Sequence, residues 1–64
     1  MVKGKIFLGD EEVLRLSAWD GESLVAEAAR WLKAKGCKFL GEKPSKGAHT
    51  VYQFTKGYTL VIFR

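Results

Sequence analysis

The sequence predicts a small α+β domain in the order ββαβββ, with one helix packed on a mostly antiparallel sheet. Two observations support this prediction. Short apolar segments near both ends of the chain are separated by glycine-containing turns, and one central segment has apolar residues at spacings of three and four. At 64 residues, 47% of them hydrophobic, residues 1–64 have the size and composition of a single domain with a packed core.

The first part of the chain predicts a β-hairpin. Strands are expected at 2–8 and 13–19, with Gly9-Asp10-Glu11 as a three-residue loop. This odd loop length sets Ile6 opposite Leu14 and gathers aliphatic residues on one face, whereas a two-residue loop would scatter them. The other face of the hairpin then carries Lys3, Lys5, Phe7, Val13, Arg15, Ser17 and Trp19.

The stretch from Asp20 to Lys35 predicts an amphipathic helix. Asp20 is a good N-cap, and Gly36 fits the left-handed position that follows a helix C-terminus. One apolar stripe faces the core and comprises Leu24, Val25, Ala28, Trp31 and Leu32. Lys33 and Lys35 suit the negative end of the helix dipole, so part of the local positive charge has a purely structural explanation.

The C-terminal part predicts three more strands. They are expected at 37–41, 48–55 and 58–64, with a loop at 42–47 that contains Pro44. Thr55-Lys56-Gly57, taken as a three-residue loop, sets Tyr52 opposite Leu60. The face toward the helix then carries Tyr52, Phe54, Tyr58, Leu60 and Ile62, and the opposite face carries His49, Val51, Gln53, Thr55, Thr59, Val61 and Phe63.

The second of these faces contains apolar residues that no further helix in the sequence would cover. Val51, Val61 and Phe63 are therefore candidate interface residues for a homodimer or a protein partner. Scattered apolar residues are also normal on the surface of monomers, so both alternatives stay open.

Charge is divided unevenly along the chain. Residues 1–32 carry four basic and six acidic side chains, a net −2, and residues 33–64 carry seven basic and one acidic, a net +6. A basic field on one half of so small a domain favours a polyanionic partner, above all a nucleic acid.

The segment 42–49 is the most informative part of the basic half. It holds two lysines, a serine, a glycine and the sole histidine of the chain. Lysines and exposed backbone N–H groups can hold phosphates, although an ordinary solvated loop has the same composition. The predicted nucleic-acid-binding residues are Lys38, Lys43, Ser45, Lys46, Gly47 and Lys56.

Several classes of site are not predicted. One cysteine, Cys37, permits no internal disulfide and no cysteine-based zinc site, and is expected to be buried. No phosphate-binding glycine loop or acidic metal site is present, so no cofactor and no metal are expected. The sequence shows no signal peptide and no membrane span, which predicts a cytoplasmic protein without a membrane partner.

The segment from Lys46 to Tyr52, followed by Gly57, resembles the K-G-x-H-x-x-Y-x-x-x-x-G strand pair of the HicA family of toxins. The resemblance covers about residues 24–62. It implies a double-stranded-RNA-binding-like αβββα fold and cleavage of messenger RNA, with His49 as the catalytic residue, Gly47 shaping the turn and Lys46 near the phosphate. The chain departs from this family in its N-terminal hairpin and in lacking a second helix.

Three functions follow from the sequence. The preferred one is a small basic, RNA-preferring nucleic-acid module that acts through the loop from Lys43 to His49. The first alternative is a protein-interaction or homodimerisation domain without catalytic activity. The second is a metal-independent ribonuclease, in which His49 acts as general base on the 2′-hydroxyl of the RNA and lysines stabilise charge on the phosphate.

Overall fold

A computed structural model describes residues 1–43 and 49–63 of the chain. Its elements are β1 (Val2–Leu8), β2 (Glu11–Ala18), α1 (Gly21–Ala34), β3 (Phe39–Lys43), β4 (His49–Phe54), a 3₁₀ turn (Thr55–Gly57) and β5 (Tyr58–Phe63). The predicted α+β class and the ββαβββ order are confirmed. The predictions that concern Pro44, the start of a strand at Ala48 and its end at Arg64 lie outside the described residues.

The five strands form one antiparallel sheet in the order β2-β1-β5-β4-β3. Pairing of β1 with β5 joins the N-terminal hairpin to the C-terminal strands. Because α1 connects β2 to β3, the two edge strands of this order, the helix crosses one face of the sheet. The sheet therefore has one face toward the helix and one that α1 leaves uncovered.

The first hairpin has the predicted register but a different turn. Ile6 lies opposite Leu14, as predicted, yet Leu8 pairs with Glu11, so only Gly9 and Asp10 form the turn. The prediction of a three-residue loop was wrong. A bulge at Val13 supplies the extra residue instead, which restores the alternation that puts the aliphatic side chains on one face.

Both ends of α1 are capped as predicted. The Asp20 carboxylate accepts a hydrogen bond from the Ser23 backbone N–H at 2.7 Å. At the other end Gly36 has φ +81°, and the N–H groups of Gly36 and Cys37 donate to the carbonyls of Lys33 and Leu32 at 2.9 and 3.0 Å, respectively. In the described residues, α1 is neither long nor apolar enough to cross a membrane.

The strand predicted at 37–41 begins later, at Phe39. The reason is the helix cap: Cys37 donates its N–H to the end of α1 and cannot use it in the sheet. Cys37 is buried in the core with 8% of its surface exposed, as expected from the sequence. The strand instead extends to Lys43, two residues beyond the predicted end.

The core lies between α1 and the sheet face that the sequence predicted. Its buried members are Ile6, Ala18, Leu24, Ala28, Leu32, Cys37, Phe54, Leu60 and Ile62. Tyr52 and Tyr58 are partly buried and pack against this core, and Tyr52 pairs with Leu60 as predicted. These aromatic rings are therefore part of the fold's apolar interior.

Candidate functional site

One row of directly opposed residues crosses all five strands on the uncovered face. Arg15 lies opposite Lys5, Lys5 opposite Val61, Val61 opposite Val51, and Val51 opposite Lys43. Residues directly opposite each other in a sheet share a face. The row thus begins and ends with cations and has two valines at its centre.

A second row lies next to the first on the same face, because residues two apart along a strand point the same way. Ser17 lies opposite Lys3, Lys3 opposite Phe63, and Phe63 opposite His49. This row places an aromatic ring between a lysine and the histidine.

We call this surface the open face. It comprises Lys3, Lys5, Phe7, Glu12, Arg15, Ser17, Lys43, His49, Val51, Gln53, Thr59, Val61 and Phe63. Its apolar members Phe7, Val51, Val61 and Phe63 are half-buried by their neighbours within the sheet. Within residues 1–43 and 49–63, α1 packs on the opposite side, against Ile6, Leu60 and Ile62.

The open face is positively charged. Among the described residues it holds four permanent cations and one carboxylate, Glu12. The Arg15 guanidinium donates to Glu12 at 2.9 Å, and the Lys5 ammonium lies 3.3 Å from the same carboxylate. These contacts, the hydrogen bond from Arg15 first, hold the pKa of Glu12 below its usual value. Glu12 is therefore ionised at neutral pH and orients two cations of the face.

Phe63 has polar neighbours on this surface. The His49 and Phe63 ring centroids are 4.7 Å apart, with the ring planes at 77°, in an edge-to-face arrangement. The Lys5 ammonium lies over the Phe63 ring, 5.5 Å from its centroid. An open groove runs beside the ring and is lined by Lys3, Gly4, Lys5, Arg15, Leu16, Ser17 and Phe63.

Two residues of the predicted site come together on the open face. Lys43 is opposite Val51, and His49 lies two residues before Val51 on the same strand, so Lys43 and His49 are diagonal neighbours. Such neighbours have their Cα atoms about 7–8 Å apart, within reach of one phosphate group for a lysine and a histidine. Both side chains are exposed.

Lys38 and Lys56 are found at the other end of the sheet. Lys56 lies in the turn that follows β4, while His49 begins β4, and the intervening strand spans on the order of 17 Å. The Lys56 ammonium donates to the carbonyl of Lys35 at 3.1 Å, and the Lys38 N–H donates to Thr55 Oγ1 at 2.9 Å. These contacts stabilise the helix C-terminus and the adjoining turn, away from His49.

The remaining predicted residues divide into two groups. Ser45, Lys46 and Gly47 lie outside the described residues. Val51, Val61 and Phe63, predicted as an interface, are all on the open face. Their role in contacts with a partner stays a prediction.

Sequence reasoning missed Lys3, Lys5 and Arg15 as site residues. The sequence did predict that these three residues share a face of the first hairpin, because they alternate with aliphatic residues along the strands. That alternation was the feature from which they could have been recognised as one surface. The missing information was the pairing of β1 with β5, which sets this hairpin beside Val61 and Phe63.

Comparison of the chain with protein-family models, with curated proteins and with solved structures finds no match. The resemblance to HicA toxins therefore stays a prediction from the motif around His49.

Proposed function

We propose that this protein is a small nucleic-acid-binding module whose binding surface is the open face. The observation that carries the proposal is the row from Arg15 to Lys43, which sets cations at both sides of a half-buried apolar centre. Lysine and arginine side chains hold phosphates, and the apolar centre offers contact area to sugars and bases. RNA is the preferred form on the basis of the HicA resemblance, and the cytoplasm is the proposed location.

Charge argues against a homodimer formed through the same surface. In a two-fold symmetric dimer the open faces of two copies would be opposed, which brings eight permanent cations against two carboxylates in one interface. Like charges placed across an interface disfavour association. A polyanion neutralises the same cations, so the charge pattern favours a nucleic acid over a second copy.

The test is a measurement of RNA affinity by fluorescence anisotropy over a range of salt concentrations. Each lysine that neutralises a phosphate contributes about 0.7 to the slope of log affinity against log salt for a single strand. The double variant Lys3→Gln/Lys43→Gln is expected to bind more weakly and to lower the slope by about 1.4.

The matched control is Lys33→Gln/Lys35→Gln, which removes the same net charge at the end of α1 and away from the open face. Its affinity and salt slope are expected to stay close to those of the unmodified protein. No binding at low salt, or equal losses in the two double variants, would overturn the proposal. Concentration-dependent dimers that Phe63→Glu disrupts would instead support the protein-interaction alternative.

A second candidate function, ribonuclease activity, is favoured by one observation. His49 and Lys43 are diagonal neighbours on the open face. A general base and a cation can therefore reach a ribose 2′-hydroxyl and its adjoining phosphate at the same time. His49 would take the proton of a ribose 2′-hydroxyl while that oxygen attacks phosphorus and the bond to the 5′-oxygen breaks. The leaving oxygen would take its proton from water, and the products would be a 2′,3′-cyclic phosphate and a 5′-hydroxyl.

Incubation of the purified protein with end-labelled RNA tests this candidate. Cleavage should be lost in His49→Ala while RNA binding persists, because the cations remain. If cleavage is unchanged in His49→Ala, or no cleavage occurs in the unmodified protein, His49 is not a catalytic residue.

A further inference from the structure

The centre of the open face is an apolar strip. Val51 and Val61 are directly opposed on β4 and β5, and Phe63 follows Val61 by two residues on the same face. All three side chains are half-buried. Lys3 and Lys5 border the strip on β1, and Lys43 borders it on β3. The apolar area thus has cations on two of its sides.

Double-stranded and single-stranded nucleic acids differ in how they can fit the open face. The outermost strands β2 and β3 are separated by four interstrand spacings, about 19 Å in all. The major groove of a B-form duplex is about 12 Å wide and admits a helix or a two-stranded ribbon. A five-stranded face cannot enter it. An RNA duplex is A-form: its major groove is deep and narrow, and its wide, shallow minor groove displays 2′-hydroxyls and base edges. In either duplex the flat faces of the bases are stacked inside the helix and cannot stack on a protein side chain. A duplex would therefore bind through its phosphates and the cations of the open face, without a base stacked on Phe63.

A single strand has no such restriction. Its bases can be turned toward the protein while its phosphates stay outside, and base stacking on aromatic side chains is tolerant of sequence. Phe63 is placed for this role, since its ring borders the open groove that lies over β1 and β2. The Lys5 ammonium lies over the ring, 5.5 Å from its centroid, and a base that stacks there would displace it toward a phosphate. The aromatic residues of the core face, Tyr52 and Phe54, are not available to a ligand in this way.

We infer, on the basis of the proposed function, that the open face selects single-stranded over double-stranded nucleic acid. In this arrangement one base stacks on Phe63, neighbouring bases or sugars lie on Val51 and Val61, and the phosphates are held by Lys3, Lys5 and Lys43. Recognition is largely independent of sequence because stacking suits every base.

The first test compares a short single-stranded RNA with the duplex formed by adding its complement, under identical salt. The single strand is expected to bind about tenfold more tightly, in the range that one stacked base provides. Equal or tighter binding of the duplex would overturn this inference while leaving the proposed function intact. No binding of either form would overturn the proposed function itself.

The second test replaces Phe63 with leucine, which keeps an apolar side chain but removes the aromatic ring. Affinity for the single strand is expected to fall by about fivefold or more, with little change for the duplex. The matched control is Phe39→Leu, since Phe39 is 59% exposed and lies on edge strand β3 as part of an aromatic cluster with Tyr52 and Phe54. If both variants bind like the unmodified protein, Phe63 does not stack on a base.

A third measurement uses the unmodified protein and so does not depend on the folding of a variant. The single strand carries the fluorescent base 2-aminopurine, whose emission changes when it stacks on another ring. A change in emission is expected when the labelled strand binds the unmodified protein. Binding without any change of emission at any labelled position would exclude base stacking.

Discussion

Leu24 of α1 packs directly over Gly4 of β1. A β-carbon placed on Gly4 would lie 2.7 Å from Leu24 Cδ2 and 3.3 Å from the Val61 carbonyl oxygen. The first distance is shorter than real side-chain contacts, and Leu24 is fully buried and has little room to move. The helix thus approaches β1 at a position that lacks a side chain.

Gly4→Ala is therefore expected to destabilise the fold by about 1–3 kcal/mol, as overpacking of a core does. Urea unfolding followed by circular dichroism measures the change. Gly21→Ala is the control: the same atom added at the start of α1 meets nothing within 4 Å. It should stabilise by roughly 0.4–1 kcal/mol through the unfolded chain. Equal effects at the two glycines would contradict the close packing of Leu24 on Gly4.

Gly36→Ala is expected to lower stability by about 1–2 kcal/mol, because an L-residue is strained in the left-handed region. Gly36 has φ +81° and ends α1. Gly36→Asn should cost less, since asparagine tolerates this conformation better. Thermal denaturation of the two variants gives the order. A stability of Gly36→Ala equal to that of the unmodified protein would show that the helix ends differently.

The Asp20 cap predicts a specific pH dependence of stability. The Ser23 backbone N–H donates to the Asp20 carboxylate and holds its pKa below the ordinary value of 3.8. The ionised form is therefore favoured in the folded state. Its contribution to stability is complete above about pH 4 and is lost as the pH falls through the lowered pKa.

Asp20→Asn keeps a side chain that caps helices but cannot ionise, so stability should depend less on pH below about 4. Urea unfolding of both proteins between neutral and acidic pH tests this expectation. Asp10→Asn, which removes a carboxylate from the β1–β2 turn, is the matched control. An acid dependence that Asp20→Asn leaves unaltered would exclude the cap as its source.

Glu12→Gln is expected to strengthen nucleic-acid binding. Glu12 is ionised and contacts both Lys5 and Arg15, so its replacement frees two cations and removes a negative charge from the open face. The salt dependence of RNA binding should become steeper by about 0.7 for each additional phosphate contact. Glu11→Gln controls for the change in net charge. Weaker binding by Glu12→Gln would mean that Glu12 is needed to position its partners.

Replacement of Lys43 by methionine is expected to affect RNA binding, whereas replacement of Lys56 is expected to affect stability. Lys43→Met should reduce the salt slope of RNA binding by about 0.7 and leave stability nearly unchanged. Lys56→Met removes the contact with the Lys35 carbonyl and should lower stability by about 0.3–1 kcal/mol with little effect on binding. Anisotropy and thermal denaturation on the same two samples check both expectations. Weaker binding by Lys56→Met would extend the site to the far end of the sheet.

The first hairpin shows how sequence reasoning reached the right faces through the wrong turn. Ile6 and Leu14 share a face because both are apolar and face the core, and this requirement correctly specified the register. Two arrangements put Ile6 and Leu14 on the same face: a loop with an odd number of residues, or a two-residue turn combined with a bulge. The choice between these depends on backbone geometry around Gly9 and Val13, which side-chain hydrophobicity does not encode.

Local patterns in the sequence determined the helix, its two caps, the existence of the five strands and the face that β1, β2, β4 and β5 turn toward the core. These features depend on residues close together in the chain, whose spacing is directly visible. Only the tertiary structure decided that β1 pairs with β5 and β3 with β4, and so how the two predicted hairpins join in one sheet. The alternation of apolar and polar residues indicates which face of β1 is buried. It does not indicate that β5 lies beside β1, because that pairing is selected by burial over the whole domain. That pairing brings Lys3 and Lys5, from the acidic half of the sequence, beside Phe63 and on the face shared with Lys43.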